Sequence, residues 1–494
     1  AFPAMKLVDG QFPPLFRSHR LRVAWMLVLP LIASGFAPYP EKNPLVIPVD
    51  SSLEVSSEPG EPRSVDSAGG LIAADLENSG ELGFLVTLPN FVGAYSQKGQ
   101  QLWFHRDPIR VGNSLEREGG PGHHGAGIQA YDIDQNGRTE VLYLLTNGTL
   151  RIRDGATGDL LWETLPPPPG NREGVWEYPV VANLSGNHPG EIILQASHTP
   201  GYRRARYLAA FNLEELREMG SEAMPLWIRE DYAGCAHTGV RVADLDRDGH
   251  DEIVGAQIID GATGEDLYVL DNFPVVANAE KGWMTHLDAI LIGDVRPERP
   301  GLEVVGLEEG GPNRVFLYDE NGLIWETDYK NWEPQNSALG AFRLGDESLQ
   351  LWCRSRFNRG QRPFVFDANG DLAFAYELKD FAPEGWTERG IERIEAIHWN
   401  GSFQHAAGKE RHCSGDVCLW DPLSGKFELH LKEQADRLYI ADVLGDWREE
   451  LVVLNGNEIR VYWNEEANPN PDRARLWESN AYLRSKQTYN YYSP

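Results

Sequence analysis

Val242-Ala-Asp-Leu-Asp-Arg-Asp-Gly-His-Asp-Glu-Ile-Val254 decides the fold, because the chain keeps returning to it. Tyr131–Val141 (YDIDQNGRTEV) is a second clear copy. Weaker copies begin at Ala73 (AADLENSGELGFL), Val181 (VANLSGNHPGEII), Ile292 (IGDVRPERPGLEVV), Ala341 (AFRLGDESLQLW), Ile394 (IEAIHWNG) and Ile440 (IADVLGDWREELVV). Successive copies lie roughly 45–60 residues apart, the period of one small sheet repeated around an axis. Within a copy, a short apolar strand such as Gly239–Ala243 runs into the acidic turn, and a second strand, Glu252–Ala256, leaves it. A third strand ends at Asp154-Gly155 or Asn321-Gly322, and a fourth often carries Trp, as at Trp103, Trp162 and Trp325. Alternating apolar residues between Gly, Asn and Asp turns mark antiparallel meanders. Radial repetition of four short strands predicts an all-β propeller. Eight copies predict eight blades; the degenerate sixth and seventh leave seven as the alternative. Leu213–Gly220 is the one helix expected within the repeats, and the tail from Asn480 is expected to pack over a blade or close the ring.

The 494 residues carry 74 acidic and 45 basic side chains, a formal net charge of −29. Nucleic-acid binders need a basic footprint, so that partner class is excluded, as is an anionic membrane surface. An anionic substrate stays open, because a site can be locally positive in an acidic protein. Arg17, Arg20 and Arg22 precede the apolar run Val23–Ile32 and the small residues Ala33-Ser34-Gly35, the layout of a secretory signal. Residues 1–37 are therefore expected to be a leader with a signal peptide and 38–494 one propeller domain with a C-terminal tail. The product would be secreted or periplasmic and a monomer. A buried apolar segment is the competing reading of the run. Of the four cysteines, Cys413 and Cys418 have a spacing that a hairpin can bridge.

Two constellations carry chemistry. Asp244, Asp246, Asp248 and Glu252 stand at positions 1, 3, 5 and 9 of a glycine-containing turn, and Asp132, Asp134, Asn136 and Glu140 repeat them. Oxygen ligands at alternate positions suit calcium, in a structural role. The competing reading makes these acids turn caps. The second constellation comes from placing loops. In a propeller blade, the turn between strands one and two lies on one face. The lead-in to strand one and the turn between strands two and three lie on the other. That second face collects His123, His124, Tyr178, His237 and His286 from the lead-ins. The turns add His198, Tyr202, Arg203, Arg206, Arg314, Arg354 and Arg356, and Arg393 lies beside the seventh copy. Each of these alone is more often structural or paired with an acid. Their convergence predicts a pocket for a carboxylate-bearing ligand.

An exported protein meets such carboxylates in uronate polysaccharides, and the chemistry open to His, Tyr and Arg is β-elimination. His124 is the leading base, with His123 as its rival. Tyr202 and Tyr178 compete as acid, and His237 is a further donor. His286, His198, Arg203, Arg206, Arg314, Arg354, Arg356 and Arg393 would bind substrate and absorb charge growing on the carboxylate.

Thr285–Val305 (THLDAILIGDVRPERPGLEVV) and Gly445–Leu451 (GDWREEL) resemble stretches of the rhamnogalacturonan lyases with a calcium-bearing propeller. The repeats cover most of residues 70–465, but these two motifs are the specific part. The resemblance implies seven or eight blades, structural Ca2+, and elimination at a uronate linked to rhamnose. Related propeller lyases act on ulvan or on the rhamnose–glucuronate bond of plant gums. The expected function is thus a polysaccharide lyase cutting L-rhamnose-α-1,4-D-glucuronate in an acidic polysaccharide. Alternatives are a rhamnogalacturonan or ulvan lyase, a non-catalytic calcium-stabilised propeller that binds glycan or protein, and a glycoside hydrolase, for which Glu177 and Asp288 are the available carboxyls.

Overall fold

A computed structural model describes residues 40, 42–49, 69–111, 126–169, 174–197, 206–235, 239–273, 286–327, 333–343, 345–355, 362–386, 391–410 and 415–488. The expected leader lies outside these residues, and so do His123, His124, His198, Tyr202, Arg203, His237 and Arg356; of Arg206 only the backbone is described.

Every one of the eight repeats builds its own four-stranded antiparallel sheet. The innermost strands are Gly70–Ala74, Ile128–Tyr131, Tyr178–Ala182, Arg241–Ala243, His286–Gly293, Pro334–Gly340, Ile391–Ile397 and Arg437–Ala441, which open blades 1 to 8 in order. The seven-blade alternative falls, because the degenerate copies form separate sheets, Pro334–Ala375 and Ile391–Ala435. Blade 8 takes three strands from the C-terminal region and its outermost from Leu45–Pro48, which pairs with Glu458–Tyr462.

Period-two alternation explains why the sheets stand radially. In the second strand of blade 1, Phe84 and Val86 enter the seam with blade 8, and Leu85 enters the seam with blade 2. Both faces of each inner strand are therefore buried, and the apolar core divides into eight clusters, one per seam between neighbouring blades. Each large side chain so buried contributes about 1.5–3 kcal/mol. Indole rings add directional locks. Trp103 Nε1 of blade 1 donates to Gly155 O of blade 2 at 2.8 Å, and Trp227 of blade 3 does the same to Gly261 of blade 4 at 2.7 Å.

Leu213–Met219 is helical as expected, with the Asn212 side chain capping Glu214 N and Glu215 N. Tail residues Asn480–Gln487 form a second helix that closes the ring at its axis. Gln487 bonds Ala130 N and O of blade 2, Arg484 reaches Val181 O of blade 3 and Asp251 of blade 4, and Lys486 pairs with Glu395 and Glu449. Cys413 lies outside the described residues, and the expected Cys413–Cys418 bridge with it. Cys235, Cys353 and Cys418 are thiols outside any disulfide, and Cys418 is fully buried in the cluster that holds Trp352 and Trp420 at the seam of blades 6 and 7. Among the described residues, no helix is long and apolar enough to cross a membrane.

Candidate functional site

In six of the eight blades the turn between strands one and two shares one construction. The residue that opens strand two accepts a backbone N–H from inside the turn: Glu140 from Ile133 (3.0 Å), Glu191 from Leu184 (3.0 Å), Glu252 from Leu245 (2.7 Å), Glu303 from Val295 (2.8 Å) and Glu450 from Val443 (2.8 Å). In blade 6 Gln350 does so without a charge, accepting from Phe342 at 2.9 Å. Ninth-position acids are thus first of all turn-builders. The first-position acids cap the same turns: Asp132 accepts from Asn136 N and Gly137 N, as Asp75 does from Ser79 N and Gly80 N in blade 1.

Two of these turns also present oxygen atoms to one another. Ligand atoms of Asp132, Asp134 and Glu140 lie within 4.8 Å of each other, and so do those of Asp244, Asp246 and Asp248. Burial, with the neighbouring aspartates adding to it, pushes the Glu140 carboxyl up to about 7 and that of Glu252 up to about 8. Asp244 Oδ1 is buried with no hydrogen-bond partner. An all-oxygen donor set with an orphaned carboxylate atom fits a hard cation.

The opposite face has its described polar centre at the seam of blades 5 and 6. His286 opens the inner strand of blade 5 and pairs in register with Glu309, the last residue of the adjoining strand. The inner strands of blades 5, 6 and 7 each carry a register shift near their start, between Leu287 and Ala289, Gln335 and Ser337, and Ile391 and Arg393. Such bulges re-aim side chains and are over-represented beside active sites; here they fall at Asp288 and Asn336. His286 Nε2 stands 3.4 Å from Glu309 Oε2 and 4.0 Å from Asp288 Oδ1. Gln335 Nε2 donates to Glu309 at 3.3 Å and to Glu333 at 3.4 Å. His286, Asp288, Glu309 and Gln335 are all at most 3% exposed. Glu333 is held at φ +28°, a conformation that L residues rarely adopt, which a function at the site would account for. One nitrogen and two carboxylates whose ligand atoms lie within 4.8 Å form a set that could hold a divalent cation.

Around His286 the described mouth is acidic, not basic. Arg314 binds Glu308 through Nε (2.9 Å) and Nη2 (3.0 Å) and Glu326 through Nη1 (3.2 Å), so its guanidinium is tied to carboxylates of blade 5. Arg393 pairs with Glu395 and lines the axial cavity, below the rim. Tyr178 is 2% exposed, its ring set against Gly239 in the seam core of blades 3 and 4. Arg354 lies beside the cluster, opposite Gln335 in the ladder and 3% exposed. Sequence reasoning missed Glu309, Glu333 and Gln335; the His286-Leu287-Asp288 spacing was the readable signal, but the Glu pair at Glu308-Glu309 reads as solvated charge until the ladder places it.

A closed eight-bladed propeller with this mouth resembles the propeller polysaccharide lyases. In particular, the chain is 24% identical over 433 residues to the rhamnogalacturonan endolyase YesW of Bacillus subtilis (strain 168) and 23% identical over 438 residues to the rhamnogalacturonan exolyase YesX of the same organism. Each match covers 75% of this chain, which spans 61% of the length of YesW and 64% of that of YesX. The crystal structure of YesX superposes with a TM-score of 0.66 at 19% identity, over 91% of this chain and 81% of YesX. The V. cholerae biofilm matrix protein Bap1 shares the fold at a TM-score of 0.51 and 10% identity, over 88% of this chain and 95% of Bap1. No family model matches the chain.

Proposed function

We propose that the chain is an exported polysaccharide lyase that cuts a rhamnose–uronate bond by β-elimination, with a rhamnogalacturonan-type acidic polysaccharide as substrate. The observation that carries this reading is the similarity along three quarters of the chain to an endolyase and an exolyase that share one polymer. A buried histidine–carboxylate cluster at a propeller mouth supports it. In the reaction a base takes the C5 proton of the uronate, the C5–H electrons become the C4=C5 double bond, and the C4–O pair leaves with the glycosidic oxygen, which an acid protonates. His124 is the proposed base, with His123 as rival, and Tyr202 takes the acid's role in preference to the buried Tyr178. A divalent cation on His286, Asp288 and Glu309 would supply the positive charge that the uronate carboxylate needs there. Arg354 supports the cluster from the neighbouring blade. The turns of Asp132, Asp134, Asn136 and Glu140 and of Asp244, Asp246, Asp248 and Glu252 are proposed structural Ca2+ sites.

The test is to incubate the protein with rhamnogalacturonan, gum arabic and ulvan in the presence of calcium. Ultraviolet absorbance of an unsaturated uronate, rising on rhamnogalacturonan, is the expected result. A rise on gum arabic alone moves the substrate to the rhamnose–glucuronate bond expected from the sequence. Reducing ends without absorbance overturn the lyase in favour of hydrolysis, and no product at all leaves a binding propeller. His124→Ala is expected to abolish turnover with an unchanged melting temperature.

A further inference from the structure

The axis of the ring holds a cavity of about 210 Å³ between the inner strands of blades 4 to 7 and the C-terminal helix. Among the described residues its charged lining consists of Arg241, Arg393, Lys486, Glu395 and Glu449. The two carboxylates are spoken for: Lys486 Nζ lies 2.5 Å from Glu395 and 3.1 Å from Glu449, and Arg393 also pairs with Glu395. Three cations face two anions, and the one left over is Arg241. Its side chain is 6% exposed, Nη1 donates to Ile290 O at 3.2 Å, and Nε has no hydrogen-bond partner. No carboxylate pairs with Arg241 among the described residues; the titratable groups that bear on it include Cys235, Tyr232, Tyr178 and Arg393. Burial and the Arg393 charge both disfavour its cationic form, yet a guanidinium does not deprotonate in proteins. An unbalanced buried charge is strongly destabilising. In a chain of net charge −29, carboxylates to pair with it were plentiful.

We infer that the axial cavity is an anion site, in which Arg241, seconded by Arg393, holds a small monovalent anion such as chloride or a carboxylate. The cavity admits such an ion beside Arg241, and its negative charge balances the lining. The site is independent of the lyase reading, and its test does not use activity. Bromide soaked into crystals of the wild-type protein should give an anomalous peak beside Arg241. In solution, melting temperature is followed against chloride and acetate, with bulky gluconate holding ionic strength constant. Chloride and acetate should raise it by about 1–2 °C per tenfold increase above Kd. Arg241→Gln should abolish the response and melt above the wild type in gluconate, because the unbalanced charge is gone. Bromide found on the exterior only, no anion raising the melting temperature over gluconate, or Arg241→Gln responding as the wild type does would each overturn the site. The bromide measurement stands even where the variant fails to fold.

Discussion

Glu450 opens the second strand of blade 8, and its carboxylate accepts from Val443 N at 2.8 Å and Leu444 N at 3.0 Å. Burial, with Asp442 and Asp446 nearby, holds its carboxyl well above the ordinary 4.5. The unfolded chain gives up that proton first, so the folded state binds more protons above pH 4.5 and loses stability as pH rises. Gln350 makes the corresponding bonds in blade 6 with a neutral amide, to Phe342 N and Arg343 N. Glu450→Gln should therefore gain melting temperature over the wild type progressively as pH rises from about 4.5 to 8. Thermal unfolding across that range checks it, and a constant difference would show the carboxyl to be unperturbed. The same comparison explains what was hidden in the sequence. An acid nine places into a turn reads as a ligand, yet its commonest work in this molecule is to accept backbone N–H groups. Asp134, Asp244, Asp246 and Asp248 accept backbone N–H groups too, so turn capping and a cation would draw on the same carboxylates, and how they share them depends on which oxygen faces which donor.

The strand-three turn Asp260-Gly-Ala-Thr-Gly264 receives the Trp227 ring of the preceding blade, just as Asp154-Gly-Ala-Thr-Gly158 receives Trp103. Gly264 has φ +75°, and a Cβ there would lie 2.6 Å from Trp227 Cγ. Gly264→Ala should cost about 2–4 kcal/mol, from backbone strain and a displaced indole together, and should shift tryptophan fluorescence. Gly99→Ala is the control: φ is +83° with nothing within 4 Å, so about 1 kcal/mol is expected. A loss as small at Gly264 as at Gly99 would show the ring yielding freely. The acidic turns permit a second test. Chelator should lower the melting temperature of the wild type, and calcium should restore it. Asp132→Asn with Asp244→Asn should remove the response, whereas Asp75→Asn, in a turn with Gly83 in the ninth place, should leave it intact. An unmoved melting curve would reduce these acids to turn caps. The repeats were legible because strand alternation and turn chemistry are local. The bulges of blades 5 to 7 were not, since a bulge is set by pairing with the neighbouring strand, and with it went the position of Asp288.

Ring closure joins the two ends of the repeat array. Leu45–Pro48 carries no copy of the acidic turn, so nothing local in its sequence marks it as the fourth strand of blade 8. The ring requires it all the same, because the C-terminal repeat supplies three strands only, Arg437–Ala441, Glu450–Asn455 and Glu458–Tyr462. The register runs from Leu45 opposite Val461 to Pro48 opposite Glu458. Asn43 Nδ2 donates to Trp463 O at 2.8 Å and Val49 N to Asn457 O at 2.7 Å, fastening both ends of the strand. Ile47 and Val49 are buried in the seam cluster that also holds Tyr439, Val452 and Val461 of blade 8 and Leu71 and Phe84 of blade 1. This one strand thus stabilises both a sheet and the last seam of the circle, which makes it the weak point of the whole architecture. Removing residues 42–49 should forfeit about 3–6 kcal/mol from burial of Ile47 and Val49 alone. It should also leave Glu458–Tyr462 as an open edge that pairs with another copy. Thermal unfolding should show the lower melting temperature and size-exclusion chromatography a concentration-dependent shift to larger species. Adding the excised segment as a peptide should reverse both, because the edge it pairs with is still there. A truncated protein that stays monomeric and melts where the full chain does would mean that the circle is held by its seams and the axial helix without the fourth strand of blade 8.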